Sequence, residues 1–88
     1  MRIRLRMFAI LRERSGISEA EIELSEGATV AVALEEVGRR FEKIADLLPR
    51  VAAAVNLAYA GATYRLHDGD ELALIPPVSG GCEGEGEG

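Results

Sequence analysis

Charged and apolar residues alternate at the start of the chain, where residues 2–8 read Arg-Ile-Arg-Leu-Arg-Met-Phe. A period of two predicts a β-strand with one buried face, so the arginines, and by parity Phe8, point to the outer face. Residues 20–24 alternate in the same way, with Glu21 and Glu23 outward. Because these glutamates could face the arginines, we expect the two strands to pair antiparallel.

A helical period follows. Between residues 30 and about 48, apolar side chains recur every three or four positions and most charges fall between them. This pattern predicts an amphipathic helix, which Thr29 would cap and Pro49 would end. Gly38 inside the helix indicates close packing against the sheet, and a shorter helical turn is predicted over residues 9–14.

Three short strand patterns complete the chain, in residues 51–56, within 58–66 and in 71–75. In the last of them, Ala73 and Ile75 point outward by alternation. The order of elements predicts an α+β fold, a mixed sheet of about five strands with one main helix across one face.

Composition narrows the functional classes. The chain has 88 residues, no Trp and one cysteine, Cys82, which excludes an internal disulfide and any cysteine-cluster metal site. Three of the fifteen acidic residues lie after Gly81, which leaves residues 1–81 with a net charge of −2, so no nucleic-acid partner is expected. The chain lacks a membrane-spanning apolar run and the apolar block of a signal peptide, so we expect a cytoplasmic protein without membrane contact.

Two segments carry carboxylate or hydroxyl side chains of the kind found in metal sites or catalytic sites. Asp68, Asp70 and Glu71 form an acidic cluster, but the turn around Gly69 explains them better than a metal site does. Ser79 has no base nearby, so it is not a predicted nucleophile. We expect no bound metal or cofactor and no enzyme activity from the chain alone.

The segment Pro76-Pro77-Val78-Ser79-Gly80-Gly81 follows an Asp-Gly-Asp-Glu turn and a short apolar strand. Together with Met-Phe-Ala-Ile-Leu-Arg-Glu at residues 7–13 and Ala-Ala-Val-Asn at 53–56, it resembles the ThiS/MoaD family of ubiquitin-like sulfur carriers. Within that family, the likeness is to the MoaD type, the small subunits of molybdopterin synthase. It extends over residues 1–81.

This resemblance implies a β-grasp fold over residues 1–81, with a flexible tail from residue 76 to 81. It implies that an E1-like adenylyltransferase uses ATP to adenylate the carboxylate of Gly81, and that a sulfurtransferase supplies sulfur to form a thiocarboxylate. The large catalytic subunit, in a heterotetramer, would then receive the tail. There the sulfur would pass to cyclic pyranopterin monophosphate to form molybdopterin.

Two sets of residues are candidates for partner contacts. Pro77, Val78, Ser79 and Gly80 would thread into partner active sites, where glycines allow close backbone approach. The second set would dock partners beside the tail and consists of Phe8, Ala73, Ile75 and Pro76. The alternative interpretation of the second set is a scatter of exposed apolar residues without a binding role.

Residues 82–88, Cys-Glu-Gly-Glu-Gly-Glu-Gly, depart from the family pattern, because relatives of this type normally end at the second glycine. We expect a disordered extension that is removed to expose Gly81. An acidic solubilising end, or a paralogue that no longer carries sulfur, is the alternative. Other functions also stay open: a carrier for thiamine, cysteine, tRNA or tungsten-cofactor sulfuration, a ubiquitin-like modifier of lysines, or an interaction module.

Overall fold

The computed structural model describes residues 1–76. The predicted threaded residues 77–80, the predicted reactive Gly81 and the extension 82–88 lie outside the described residues. The elements, in chain order, are β1 (Arg2–Met7), α1 (Ala9–Ser15), β2 (Glu19–Glu23), α2 (Val30–Arg40), two 3-10 turns (Glu42–Ile44 and Leu48–Arg50), β3 (Ala52–Val55), β4 (Ala58–Ala60) and β5 (Glu71–Ile75).

The five strands form one mixed sheet in the order β2-β1-β5-β3-β4. The terminal strands β1 and β5 are parallel neighbours at the centre, and every other neighbouring pair is antiparallel. The predicted antiparallel pairing of the first two strands is confirmed, with Arg2 opposite Glu23 and Arg4 opposite Glu21. This topology, with one main helix against the sheet, is the expected β-grasp fold.

The core lies between the inner face of the sheet and α2. Alternate residues of β1 and β5 are fully buried there, as the period of two predicts. From α2, Val30, Ala33 and Val37 pack into the same core. Asp70 is the single buried polar or charged residue of the described chain, and it is hydrogen-bonded. No helix among residues 1–76 is long and apolar enough to cross a bilayer.

The main helix is shorter than predicted, because it ends at Arg40 rather than near residue 48. Phe41 leaves the helix with φ −124° and ψ 72°, and two 3-10 turns then bury Ile44 and Leu48. A spacing of three or four residues between apolar side chains suits both α- and 3-10 helices. The apolar periodicity in the sequence therefore continues past the end of α2. A Cβ at Gly38 would lie 3.2 Å from Leu48 Cδ1. Gly38 therefore allows close packing against the second 3-10 turn and not, as predicted, against the sheet.

Candidate functional site

The outer face of the sheet, opposite α2, is divided into two halves of different chemistry. One row of side chains crosses all five strands by direct pairing: Glu19, Arg6, Ala73, Ala54 and Tyr59. The row changes from charged to apolar between β1 and β5. The division therefore runs along the two central strands.

The charged half consists of Arg2, Arg4 and Arg6 of β1 with Glu19, Glu21, Glu23 and Glu71 beside them. The Nε of Arg2 lies 3.4 Å from Glu23 and 3.7 Å from Glu21. These exposed pairs contribute little stability, roughly 0–1 kcal/mol each, so their main effect is to make this half of the outer face charged and hydrophilic. The prediction that the arginine row faces the glutamates of β2 is confirmed.

The apolar half, which we call the apolar surface, comprises Phe8, Tyr59, Ala73, Ile75 and Pro76. Phe8 is 39% exposed and Tyr59 is 78% exposed. The other three are half-buried. The predicted outward orientation of Phe8, Ala73 and Ile75 is confirmed, although Phe8 lies just after β1 and not within it.

Sequence analysis missed Tyr59. Its place on the apolar surface follows from its pairing with Ala54, which also pairs with Ala73. The predicted short strand within residues 58–66 included Tyr59, but no local pattern specified the register of this hairpin.

The hairpin turn that sets the register of Tyr59 is the pair Asn56-Leu57, between β3 and β4. Both residues have positive φ, 51° and 73°, as a two-residue type I′ turn requires. The Nδ2 of Asn56 donates to Asp70 Oδ1 at 2.9 Å, and its Oδ1 accepts from the backbone N–H of Glu71 at 3.0 Å. Asn56 therefore anchors the turn to the start of β5.

The apolar surface adjoins the point where the tail begins. Ile75 ends β5, and Pro76 lacks the N–H that would continue the ladder. Because β1 and β5 are parallel, with Met7 beside Leu74, Phe8 emerges at the same edge as the tail. Tail residues 77–81, including Gly81, lie beyond the described part, so their roles remain predictions.

The acidic cluster is used for local structure. Asp68 Oδ1 accepts from the backbone N–H of Arg2 at 2.7 Å, and Asp70 Oδ2 accepts from that of His67 at 2.8 Å. Glu71 accepts from Arg6 at 3.1 Å. The turn interpretation is confirmed for Asp68 and Asp70, whereas Glu71 belongs to β5 and binds Arg6 of β1. Among residues 1–76, no group of three or more His, Cys, Asp or Glu side chains could hold a metal ion.

Comparison with models of protein families shows to which family the chain belongs, because the model of the ThiS family matches residues 5–81. The chain belongs to the ThiS family. The match begins within β1 and ends at Gly81, so the last seven residues lie beyond it.

Curated members of the family are similar over most of their length. The Arabidopsis thaliana protein named molybdopterin synthase sulfur carrier subunit is 32% identical over 79 residues, which cover 90% of this chain and 82% of the relative. The protein of the same name from Chlamydomonas reinhardtii is 34% identical over 83 residues, which cover 92% of this chain and all of the relative.

Solved structures share the fold. The small archaeal modifier protein SAMP1 from Haloferax volcanii superposes with a TM-score of 0.82 at 27% identity, covering 92% of this chain and all of that one. A chain in the complex of subunits 1 and 2 of molybdopterin-converting factor from Helicobacter pylori gives a TM-score of 0.66 at 26% identity. It covers 92% of this chain and all of that one. The ThiS-type β-grasp is thus established over nearly the whole length.

Proposed function

We propose that this chain is the sulfur carrier subunit of a molybdopterin synthase and that Gly81 is the residue that carries the sulfur. The observation that supports this most directly is the family match ending at Gly81, together with curated relatives of that name at 32% and 34% identity. The carrier acts as the sulfur-donating subunit of a sulfurtransferase and has no active site of its own.

The chemistry requires little from the carrier beyond a reachable carboxylate. An E1-like adenylyltransferase activates Gly81 with ATP, and a sulfurtransferase provides the sulfur for the thiocarboxylate. Gly80 and Gly81 have no Cβ, so the backbone can approach a nucleotide or pterin closely. Pro76 and Pro77 stiffen the stem, which reduces the entropy lost when the tail enters a partner.

The large catalytic subunit is the proposed partner of the apolar surface, in a heterotetramer that holds two carriers. The similarity to a chain in the complex of subunits 1 and 2 of molybdopterin-converting factor from Helicobacter pylori supports this assignment. Phe8 and Tyr59 are aromatic anchors of the kind that dominate interface energetics, and Ile75 and Pro76 place them beside the tail. The same surface would meet the adenylyltransferase, since both partners must receive the tail.

Residues 82–88 must be removed for Gly81 to react. In this sequence, Gly81 is joined to Cys82, so its carbonyl is an amide and cannot be adenylated. We therefore propose a processing step at the Gly81–Cys82 bond in the cytoplasm.

Pyrophosphate exchange tests the function directly. Chains ending at Gly81 and at Gly88 are incubated with the cognate E1-like enzyme and ATP. We expect exchange only with the chain that ends at Gly81. A chain ending at Gly80 is the matched control, since it has a free glycine carboxylate one residue too early. Absence of exchange with the Gly81 form would contradict the proposal.

A second candidate function is conjugation to lysines, which the similarity to SAMP1 favours because that protein is named a modifier. Mass spectrometry of the chain from its native cells separates the two. Replacement of one oxygen by sulfur at Gly81 indicates a carrier, whereas isopeptide remnants on lysines of other proteins indicate a modifier.

A further inference from the structure

Arg6 lies at the boundary between the charged half and the apolar surface, and it touches both. Its guanidinium carbon is 5.4 Å from the centroid of the Phe8 ring. Its Nη1 donates to Glu71 Oε2 at 3.1 Å, and its Nε lies 3.7 Å from Glu19 Oε2. Glu71 therefore holds the guanidinium beside the aromatic ring by a hydrogen bond, and Glu19 adds only a longer ionic contact to the buried Nε, which has no hydrogen-bond partner in the described chain.

Phe8 depends on such a contact more than a strand residue would. It follows the last residue of β1 and precedes Ala9, whose φ is +52°, so it is outside the sheet ladder. Its carbonyl accepts from the N–H of Leu11 at 3.1 Å, which fixes the backbone but leaves the side chain 39% exposed. A cation over the ring face is attracted by the ring quadrupole, by about 0.5–1 kcal/mol at exposed sites.

We propose that Arg6 is a positioning residue. It holds the Phe8 ring in the orientation in which the ring binds the docking partner. This inference rests on the proposed function, because it assigns a role within the surface that contacts the large subunit. An exposed ring that is already oriented loses less entropy on binding than a free one, so affinity is gained without a new contact.

The same contacts define the chemistry of the partner. A partner that covers Phe8 also shields Arg6 from water, and a shielded guanidinium requires a counter-ion. Glu71 already supplies that counter-ion at 3.1 Å, and its side chain is only 27% exposed. The charge of Arg6 is therefore already balanced, so we expect the partner to place apolar groups opposite Phe8 rather than a carboxylate opposite Arg6.

The test compares Arg6→Met with Arg4→Met in the full chain and in the chain that ends at Gly81, the form that the proposed processing step produces. Arg4 lies two residues earlier on the same outer face of β1, beside Glu21 and Glu71 in the sheet register. Both substitutions remove one positive charge from the same surface, so electrostatic steering changes equally. Only Arg6 lies over the ring of Phe8.

Affinity for the cognate large subunit is measured by calorimetry at fixed salt. Arg6→Met should raise Kd about two- to fivefold, the equivalent of the cation–ring attraction, and Arg4→Met less than about twofold. In a Phe8→Ala background, the effect of Arg6→Met should be clearly smaller, because only the loss of the ion pair with Glu71 remains. Equal effects of the two arginine substitutions, or an undiminished effect in the Phe8→Ala background, would overturn the proposal.

A second measurement needs no partner. In the free chain, nuclear Overhauser contacts should connect the Phe8 ring protons to the Arg6 side chain and should persist in Arg4→Met. Their absence in the wild-type chain would refute the positioning role. If the chain that ends at Gly81 shows these contacts but does not bind the large subunit, the proposed function fails while the positioning of Phe8 stands.

Discussion

Replacement of Asn56 by alanine tests how the β3–β4 turn is attached to β5. The substitution removes two side-chain hydrogen bonds, one donated to Asp70 at 2.9 Å and one accepted from the N–H of Glu71 at 3.0 Å. The backbone N–H of Asn56 still donates to the carbonyl of Glu71, so the turn is loosened and not lost.

The expected loss can be worked out from these contacts. A hydrogen bond to a charged group contributes about 1.5–3 kcal/mol and a neutral one about 0.5–1.5 kcal/mol. Asn56 is exposed, so we take the lower ends of both ranges, about 2 kcal/mol. The φ of 51° adds to the loss, because asparagine tolerates the left-handed region better than alanine does. We therefore expect a decrease of about 2–3 kcal/mol in the free energy of unfolding.

Urea denaturation followed by far-ultraviolet circular dichroism measures this loss, since the chain has no Trp. Leu57→Ala is the matched control. Leu57 is in the same turn, also has positive φ, and is 89% exposed. Its substitution should change the unfolding free energy by less than about 0.5 kcal/mol. If Asn56→Ala costs no more than Leu57→Ala, the anchoring role assigned to Asn56 is refuted.

Three further predictions follow from single residues. Leu57→Gly should stabilise the fold by up to about 1 kcal/mol in the same urea assay, because glycine adopts the φ of 73° without the steric cost that leucine pays; a loss of stability would contradict this. Tyr59→Ser should raise Kd for the large subunit more than about fivefold, with little effect on stability, because Tyr59 is an exposed aromatic anchor on the apolar surface. Tyr64→Ser is its control, since Tyr64 is also partly exposed but lies outside that surface, and equal losses of affinity would count against the assignment. Arg40 donates to Glu36 at 2.8 Å and lowers the pKa of Glu36 below its ordinary value of 4.5. This interaction stabilises the fold at pH values above the unfolded pKa of Glu36, and the stabilisation is lost as the pH falls through the lowered folded pKa. Glu36→Gln should therefore flatten the decline of the urea midpoint below pH 4.5. An unchanged decline would show that the Glu36–Arg40 pair is not responsible.

The alternation of residues in β1, β2 and β5 was sufficient to predict those strands and their buried faces. When one face of a strand is buried, an alternating pattern fits the sheet in only one orientation. The direction of each side chain can therefore be inferred from its immediate neighbours in the sequence. The outward positions of Phe8, Ala73 and Ile75 followed from it. The family likewise could be inferred from the linear motif that ends at Gly81, because such a motif is defined by the order of residues along the chain.

Other features required the tertiary structure. The end of α2 at Arg40 could not be predicted, since the 3-10 turns that follow bury Ile44 and Leu48 at a helix-like spacing. Tyr59 joined the apolar surface only through the register of a hairpin, which depends on an asparagine bonded to residues 14 and 15 positions away.

The contact between Arg6 and Phe8 has the same origin. Alternation places both side chains outward, but the position of the guanidinium is set by Glu71, which is 65 residues away in the chain. That neighbour is supplied by the parallel pairing of the first and last strands. The sequence by itself determined which side chains of β1, β2 and β5 face outward, because orientation within an alternating strand depends on adjacent residues. The tertiary structure alone decided which of them meet, because those contacts join strands that are distant in the chain.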